Sequence, residues 1–120
     1  MTYFKNITAV IIEDEPFIAA DIEGLLQDFG IEVLKICSTV DEGIKAAKAI
    51  KADIFTLDYE LGNRTSDPVA NTLKKHSKKF IVISGKTEIV QSRSNFTETP
   101  LISKPVDPKA LVKAIEVALY

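Results

Sequence analysis

The stretch Ile7-Thr8-Ala9-Val10-Ile11-Ile12-Glu13-Asp14-Glu15-Pro16 decides how the chain is read. Its first six residues have the length of one β-strand. A run this apolar, without polar alternation, suits a sheet covered on both faces. It passes directly into three acids and a proline. Proline fits the first turn of a helix, where its missing N–H breaks no bond. Beyond it Ile18, Ile22, Leu25, Leu26 and Phe29 fall on one helical face, and Gly30 supplies the stop.

The same strand-then-helix unit recurs along the chain. Residues 33–37 read as a second strand, and residues 40–50 as a helix with Asp41 and Glu42 in its first turn. Residues 54–57 form a third strand that delivers Asp58 at its end. The loop 59–66 leads into a helix with Pro68 near its start and Val69 and Leu73 on a common face. Residues 80–83 are a fourth strand followed by Ser84-Gly85, residues 101–103 a short fifth, and residues 107–119 a last helix with Pro108 in its first turn. Parallel neighbours need crossovers, so strict alternation predicts a doubly wound α/β fold. Its five-stranded parallel sheet carries helices on both faces. Residues 87–99 offer only Ile89, Val90 and Phe96 as large apolar groups, so the fourth helix is expected to be short or irregular.

A chain of 120 residues is the size of one domain, expected here to span residues 1–120. Its hydrophobic share of 46% and charged share of 27% are those of a globular protein. A net charge of −2 argues against nucleic-acid binding, which needs a concentrated basic surface. Lys74, Lys75, Lys78 and Lys79 cluster at a helix end, where positive charge suits the dipole. His76 among them is read as exposed and inert. No apolar run is long enough to span a bilayer, and the polar start is unlike a signal peptide. The single cysteine, Cys37, reads as a buried thiol in a cytoplasmic protein.

In an open parallel sheet, ligands bind beyond the carboxyl ends of the strands. Glu13, Asp14 and Glu15 lie past the first strand, Asp58 past the third, Ser84 past the fourth, and Ser103-Lys104-Pro105 past the fifth. Each has a plain reading when taken alone. Acids after a strand are often helix N-terminal charges, Lys-Pro a surface turn, and Ser-Gly strand punctuation. Their joint placement on one edge is what the plain readings leave unexplained. Carboxylates crowded together repel unless a cation joins them, and Mg2+ suits one or two carboxylates with phosphate oxygens. Asp14 and Asp58 are candidate direct ligands, Glu13 acts through water, and the backbone carbonyl of Glu60 completes the set. Asp58 is the candidate nucleophile, since carboxylates form aspartyl-phosphate intermediates. Lys104 supplies a mobile positive charge and Ser84 a hydrogen bond to the transferred group, with backbone N–H groups of Tyr59 or Gly85 assisting.

Val10-Ile11-Ile12-Glu13-Asp14-Glu15-Pro16, Leu57-Asp58, Val82-Ile83-Ser84-Gly85 and Ser103-Lys104-Pro105 together resemble the receiver domains of two-component response regulators, over essentially the whole chain. The resemblance implies the flavodoxin-like receiver fold and a Mg2+ site at Glu13, Asp14 and Asp58. It makes Asp58 the phosphoacceptor, Ser84 the hydroxyl switch residue and Lys104 the phosphate partner. A histidine kinase or phosphotransfer protein would donate through the first helix and the loops around Asp58. The chain would then be a signalling switch rather than an enzyme, acting by protein contact or as a phosphate sink in a phosphorelay. Leu61-Gly62, Ser66, Pro68-Val69-Ala70 and Leu73 are similar to a narrower proteobacterial group with Phe-Ala-Thr-Gly-x-Tyr at the fourth strand, degenerate here as Val82-Ile83-Ser84-Gly85-Lys86-Thr87.

Three departures bear on mechanism. Leu101 stands where many receivers carry an aromatic switch residue, so signal output is expected to run through a rearrangement of residues 85–100. Gly62 replaces a common proline, which is expected to loosen that loop. Glu60, two residues past Asp58, is placed to affect the lifetime of a phosphoryl group. Two other functions compete. One is a receiver-like binding module that works without phosphorylation, which Mg2+ binding and acetyl-phosphate labelling would separate. The other is a nucleotide- or flavin-binding domain or a phosphatase. A Gly-rich turn would suit the nucleotide case, whereas Glu-Asp-Glu-Pro repels phosphate without a metal.

Overall fold

The computed structural model describes residues 3–87, 90, 96 and 98–120. Five strands, β1 (Ile7–Ile12), β2 (Ile31–Cys37), β3 (Ile54–Asp58), β6 (Phe80–Ser84) and β7 (Leu101–Ser103), form a parallel sheet in the order β2-β1-β3-β6-β7. Among the described residues the helices are α1 (Pro16–Asp28), α2 (Val40–Ala49), α3 (Asp67–Lys75) and α4 (Pro108–Leu119). In β1, Ala9 and Ile11 face one side and Val10 and Ile12 the other, and all four are buried. That is why the strand carries no polar alternation. Ala19, Ile22 and Leu26 of α1 and Leu111, Ala114 and Ile115 of α4 close one core with Ile54, Ile81 and Ile83. Ala46 and Ala47 of α2 and Val69 and Leu73 of α3 close the other with Phe55, Leu57 and Val82.

Local chemistry sets the boundaries. Pro16 and Pro108 sit in first turns, and Gly30 follows α1 with φ 88°, a left-handed conformation that favours glycine. Thr39 caps α2, its hydroxyl accepting from Glu42 N–H at 3.1 Å, while the Glu42 carboxylate accepts from Ser38 N–H at 2.8 Å. This is nearly a reciprocal capping box. The Ser38 contacts hold the Glu42 carboxyl below its usual range. Gly43 brings α2 close to its neighbours, since an added Cβ would lie 3.1 Å from Val69 Cγ2 and 3.3 Å from Ile12 Cγ2. The lysines also have local partners: Lys78 Nζ donates to Ile50 O at the end of α2, and Lys79 Nζ to Leu119 O at the end of α4. His76 is exposed at the end of α3.

The structure differs from the sequence reading at the second strand and in the loop after β3. The second strand begins at Ile31, because Ile31 is buried and pairs with Ile7. Its register with β1 skips Leu34, a bulge that leaves this side chain exposed on an edge strand. The loop after β3 holds a small antiparallel hairpin, β4 (Glu60–Leu61) and β5 (Arg64–Thr65). Of the expected fourth helix, most residues lie outside those described; Val90 and Phe96 are buried in the core beside α3. Among the described residues no helix is long and apolar enough to cross a membrane.

Thr39→Ala is expected to lower unfolding free energy by about 1 kcal/mol, measured by chemical denaturation; an unchanged midpoint would refute the cap. Cys37 is fully buried, and burial raises its thiol pKa. The thiol therefore stays protonated through neutral pH, and as an acid with a raised folded pKa it favours unfolding only at alkaline pH. A thiol-specific disulfide reagent at pH 7–8 should react with the denatured chain and not with the native one.

Candidate functional site

Because all five strands of the main sheet run parallel, their C-terminal ends share one edge. The chain winds outward from β1 to β2 and then returns to β3 on β1's other side, so the β1/β3 boundary is the topological switch point. Glu13 and Asp14 leave β1 there, and Asp58 is the last residue of β3. Asp58 pairs with Ile83 of β6, which sets Ser84 one residue beyond, and Ser84 pairs with Ser103 of β7, which sets Lys104 next. The sheet register therefore gathers residues from four strand ends.

One carboxylate oxygen each from Glu13, Asp14 and Asp58 lie within 4.8 Å of one another. Glu13 and Asp58 are only 2% and 4% exposed, so their charges are largely removed from water. Lys104 Nζ stands 3.1 Å from Asp58 Oδ2, to which it donates, and 3.1 Å from Glu13 Oε1. The second contact is an ion pair without hydrogen-bond alignment, which leaves buried Glu13 Oε1 without a hydrogen bond. Glu13 Oε2 accepts from Glu15 N–H at 3.1 Å, and Asp58 Oδ1 from Glu60 N–H at 3.3 Å.

Burial first, and then the neighbouring Asp58 carboxyl, push Glu13 up to about 7. Burial also raises Asp58, although Glu13 and Lys104 oppose it. Burial disfavours the charge on Lys104, but Asp58 and then Glu13 outweigh this and raise its pKa. One ammonium thus pairs with two of the three carboxyl groups. A buried oxygen with no hydrogen bond and an all-oxygen donor set fit a hard divalent cation such as Mg2+.

Ser84 is buried, and its Oγ accepts from Lys86 N–H at 2.9 Å, which leaves its own proton to donate. Lys104 N–H donates to Ser84 O at 3.0 Å. The Glu60 carboxylate lies outside the acidic cluster, 3.3 Å from Lys86 Nζ, with the two side chains 46% and 57% exposed. Ser66 N–H donates to Tyr59 O at 2.8 Å, so Glu60 and Thr65 form the next, non-hydrogen-bonded pair of the hairpin. The Glu60 carbonyl is therefore not used by the hairpin ladder.

Some functional geometry was not anticipated from sequence. Gly62, at φ 64°, is the first central residue of a two-residue hairpin turn, so it tightens the loop instead of loosening it. Its N–H donates to Asp14 Oδ2 at 3.0 Å. The dipeptide Gly62-Asn63 between short runs was the available signal. The Tyr59 ring, one residue past Asp58, packs edge-on against Phe96 with centroids 5.6 Å apart, and Leu101 packs against the same core.

Residues 9–116 match the family described as the response regulator receiver domain. The chain is 31% identical over 114 residues to the phyllosphere-induced regulator PhyR of Methylorubrum extorquens, covering 92% of this chain but only 43% of that protein. The receiver domain of Erythrobacter litoralis PhyR superimposes with a TM-score of 0.82 at 25% identity, covering 94% of this chain and 89% of that one. The anti-anti-sigma factor PhyR of Bartonella quintana superimposes with a TM-score of 0.76 at 29% identity, covering 93% of this chain and 47% of that one. The fold, the acidic edge and these matches agree: the chain belongs to the response-regulator receiver domains of two-component signalling.

Proposed function

We propose that Asp58 accepts a phosphoryl group from a histidine kinase or phosphotransfer protein in a Mg2+-dependent reaction. The observation that carries this reading is the buried Asp58 carboxylate, within 4.8 Å of two further carboxylates and hydrogen-bonded to Lys104. Glu13, Asp14, Asp58 and the Glu60 carbonyl would hold Mg2+, which supplies charge neutralisation to the approaching phosphate. An Asp58 oxygen attacks phosphorus as the bond to the donor's imidazole nitrogen breaks, and the electron pair leaves with the imidazole. Lys104, already 3.1 Å from Asp58 Oδ2, moves its charge to a phosphoryl oxygen. Ser84 donates its free hydroxyl proton to another.

A hollow of about 400 Å³ lined by Ile18, Asp21, Lys104, Pro105 and Val106 adjoins this edge. Phe17 at the start of α1 is 87% exposed. An apolar surface next to the phosphoacceptor suits a docked donor protein. Output then proceeds through residues 85–100 to a protein partner, or the domain serves as a phosphate sink in the cytoplasm. Val90 and Phe96 support the first route, since both pack in the core that also holds Tyr59 and Leu101.

Incubation with acetyl phosphate and Mg2+ should add one phosphoryl mass to the native protein and none to Asp58→Asn. No adduct from acetyl phosphate or from a phosphohistidine donor protein would overturn the reading and leave a phosphorylation-independent binding module. Glu60, beside Lys86 at the site's rim, shortens the phosphoryl lifetime by repulsion or by orienting water. Glu60→Gln should slow dephosphorylation by about threefold, as for an exposed charge worth under about 1 kcal/mol. An unchanged decay rate would remove Glu60 from the mechanism.

A further inference from the structure

We infer that the backbone N–H of Gly62 is a positioning group for Asp14, fixing its carboxylate for the cation; this rests on the Mg2+ reading proposed above. Asp14 lies beyond the last residue of β1, where no sheet ladder holds it, and it is only half-buried. Its Oδ2 accepts from Gly62 N–H at 3.0 Å across 48 residues of sequence. A half-buried carboxylate would otherwise rotate about its side-chain torsions and repel its neighbours outward. Committing one oxygen to a main-chain donor sets the carboxylate's orientation before any cation arrives, so less conformational freedom is lost on binding.

The donor is itself held in place. Tyr59 N–H donates to Ile83 O at 3.1 Å and Ser66 N–H to Tyr59 O at 2.8 Å, so the base of the hairpin is tied to the main sheet. At its tip Gly62 adopts φ 64°, and a Cβ added there meets nothing within 4 Å. Backbone conformation, not space, favours glycine here. Proline fails twice at this position, because its φ is fixed near −65° and it has no N–H to donate. The hairpin that presents the Gly62 N–H also presents the Glu60 carbonyl, which its ladder does not use.

The test compares Gly62→Pro with Gly62→Asn, since asparagine keeps the N–H and tolerates positive φ. Calorimetric titration of the whole chain with MgCl2 should show about tenfold weaker binding for Gly62→Pro, the value of one hydrogen bond to a charged group. Gly62→Asn should stay within about twofold of the native chain. Equal affinity in native and Gly62→Pro proteins that both fold would overturn the inference. The second measurement needs neither metal nor a folded proline variant: amide hydrogen exchange at Gly62 in the Mg2+-free native protein and in Asp14→Ala. Faster exchange in Asp14→Ala supports the positioning bond, and unchanged exchange overturns it. Failure of the native chain to bind Mg2+ would defeat the metal reading alone, leaving the exchange result to decide whether Gly62 orders Asp14.

Discussion

The constraint on which the rest depends is the mutual repulsion of three carboxyl groups at one edge of a parallel sheet, two of them buried. Lys104 alone cannot neutralise them, and burial, with the Asp58 carboxyl beside it, pushes Glu13 up to about 7. Taking a carboxylate out of water costs several kcal/mol unless partners compensate. An arrangement kept for stability alone would gain by exchanging an acid for an apolar residue. In the function proposed above, a divalent cation and a phosphoryl group complete the cluster, and each brings the charge the other needs.

The sheet makes this crowding possible at low cost elsewhere. Glu13, Asp58, Ser84 and Lys104 follow directly from the ends of paired strands, so their spacing is fixed by ladder register and by two cores that cover both faces. Asp14 is the exception, reached by the hairpin after β3. Glu60 and Lys86, at the rim, are exposed and pair with each other outside the buried charges.

Most of this was legible in the sequence because it depends on short-range pattern. The unbroken apolar run at β1 announced two-sided burial, and the prolines marked helix starts. The acids, Ser84 and Lys104 could be placed together once the strands were taken as parallel. What escaped depended on contacts between distant segments. The Gly62 N–H reaching Asp14 spans 48 positions, and nothing local to either residue encodes it. The edge-on packing of Tyr59 on Phe96 was hidden because residues 87–99 have too few apolar groups to show a period. The second strand, read from residue 33, starts two residues earlier because Ile31 is buried in the core that the first helix closes.

The central claim, that unbalanced acidic charge at Asp58 is there to be completed by a divalent cation, is tested most directly by thermal unfolding at matched ionic strength, with and without Mg2+, in the native chain and in Asp58→Asn. A ligand that binds only the folded state raises the midpoint by mass action. Mg2+ should raise the native midpoint, while Asp58→Asn should be the more stable protein without metal and should lose most of the Mg2+ shift. A less stable metal-free Asp58→Asn that keeps the full shift would contradict the account.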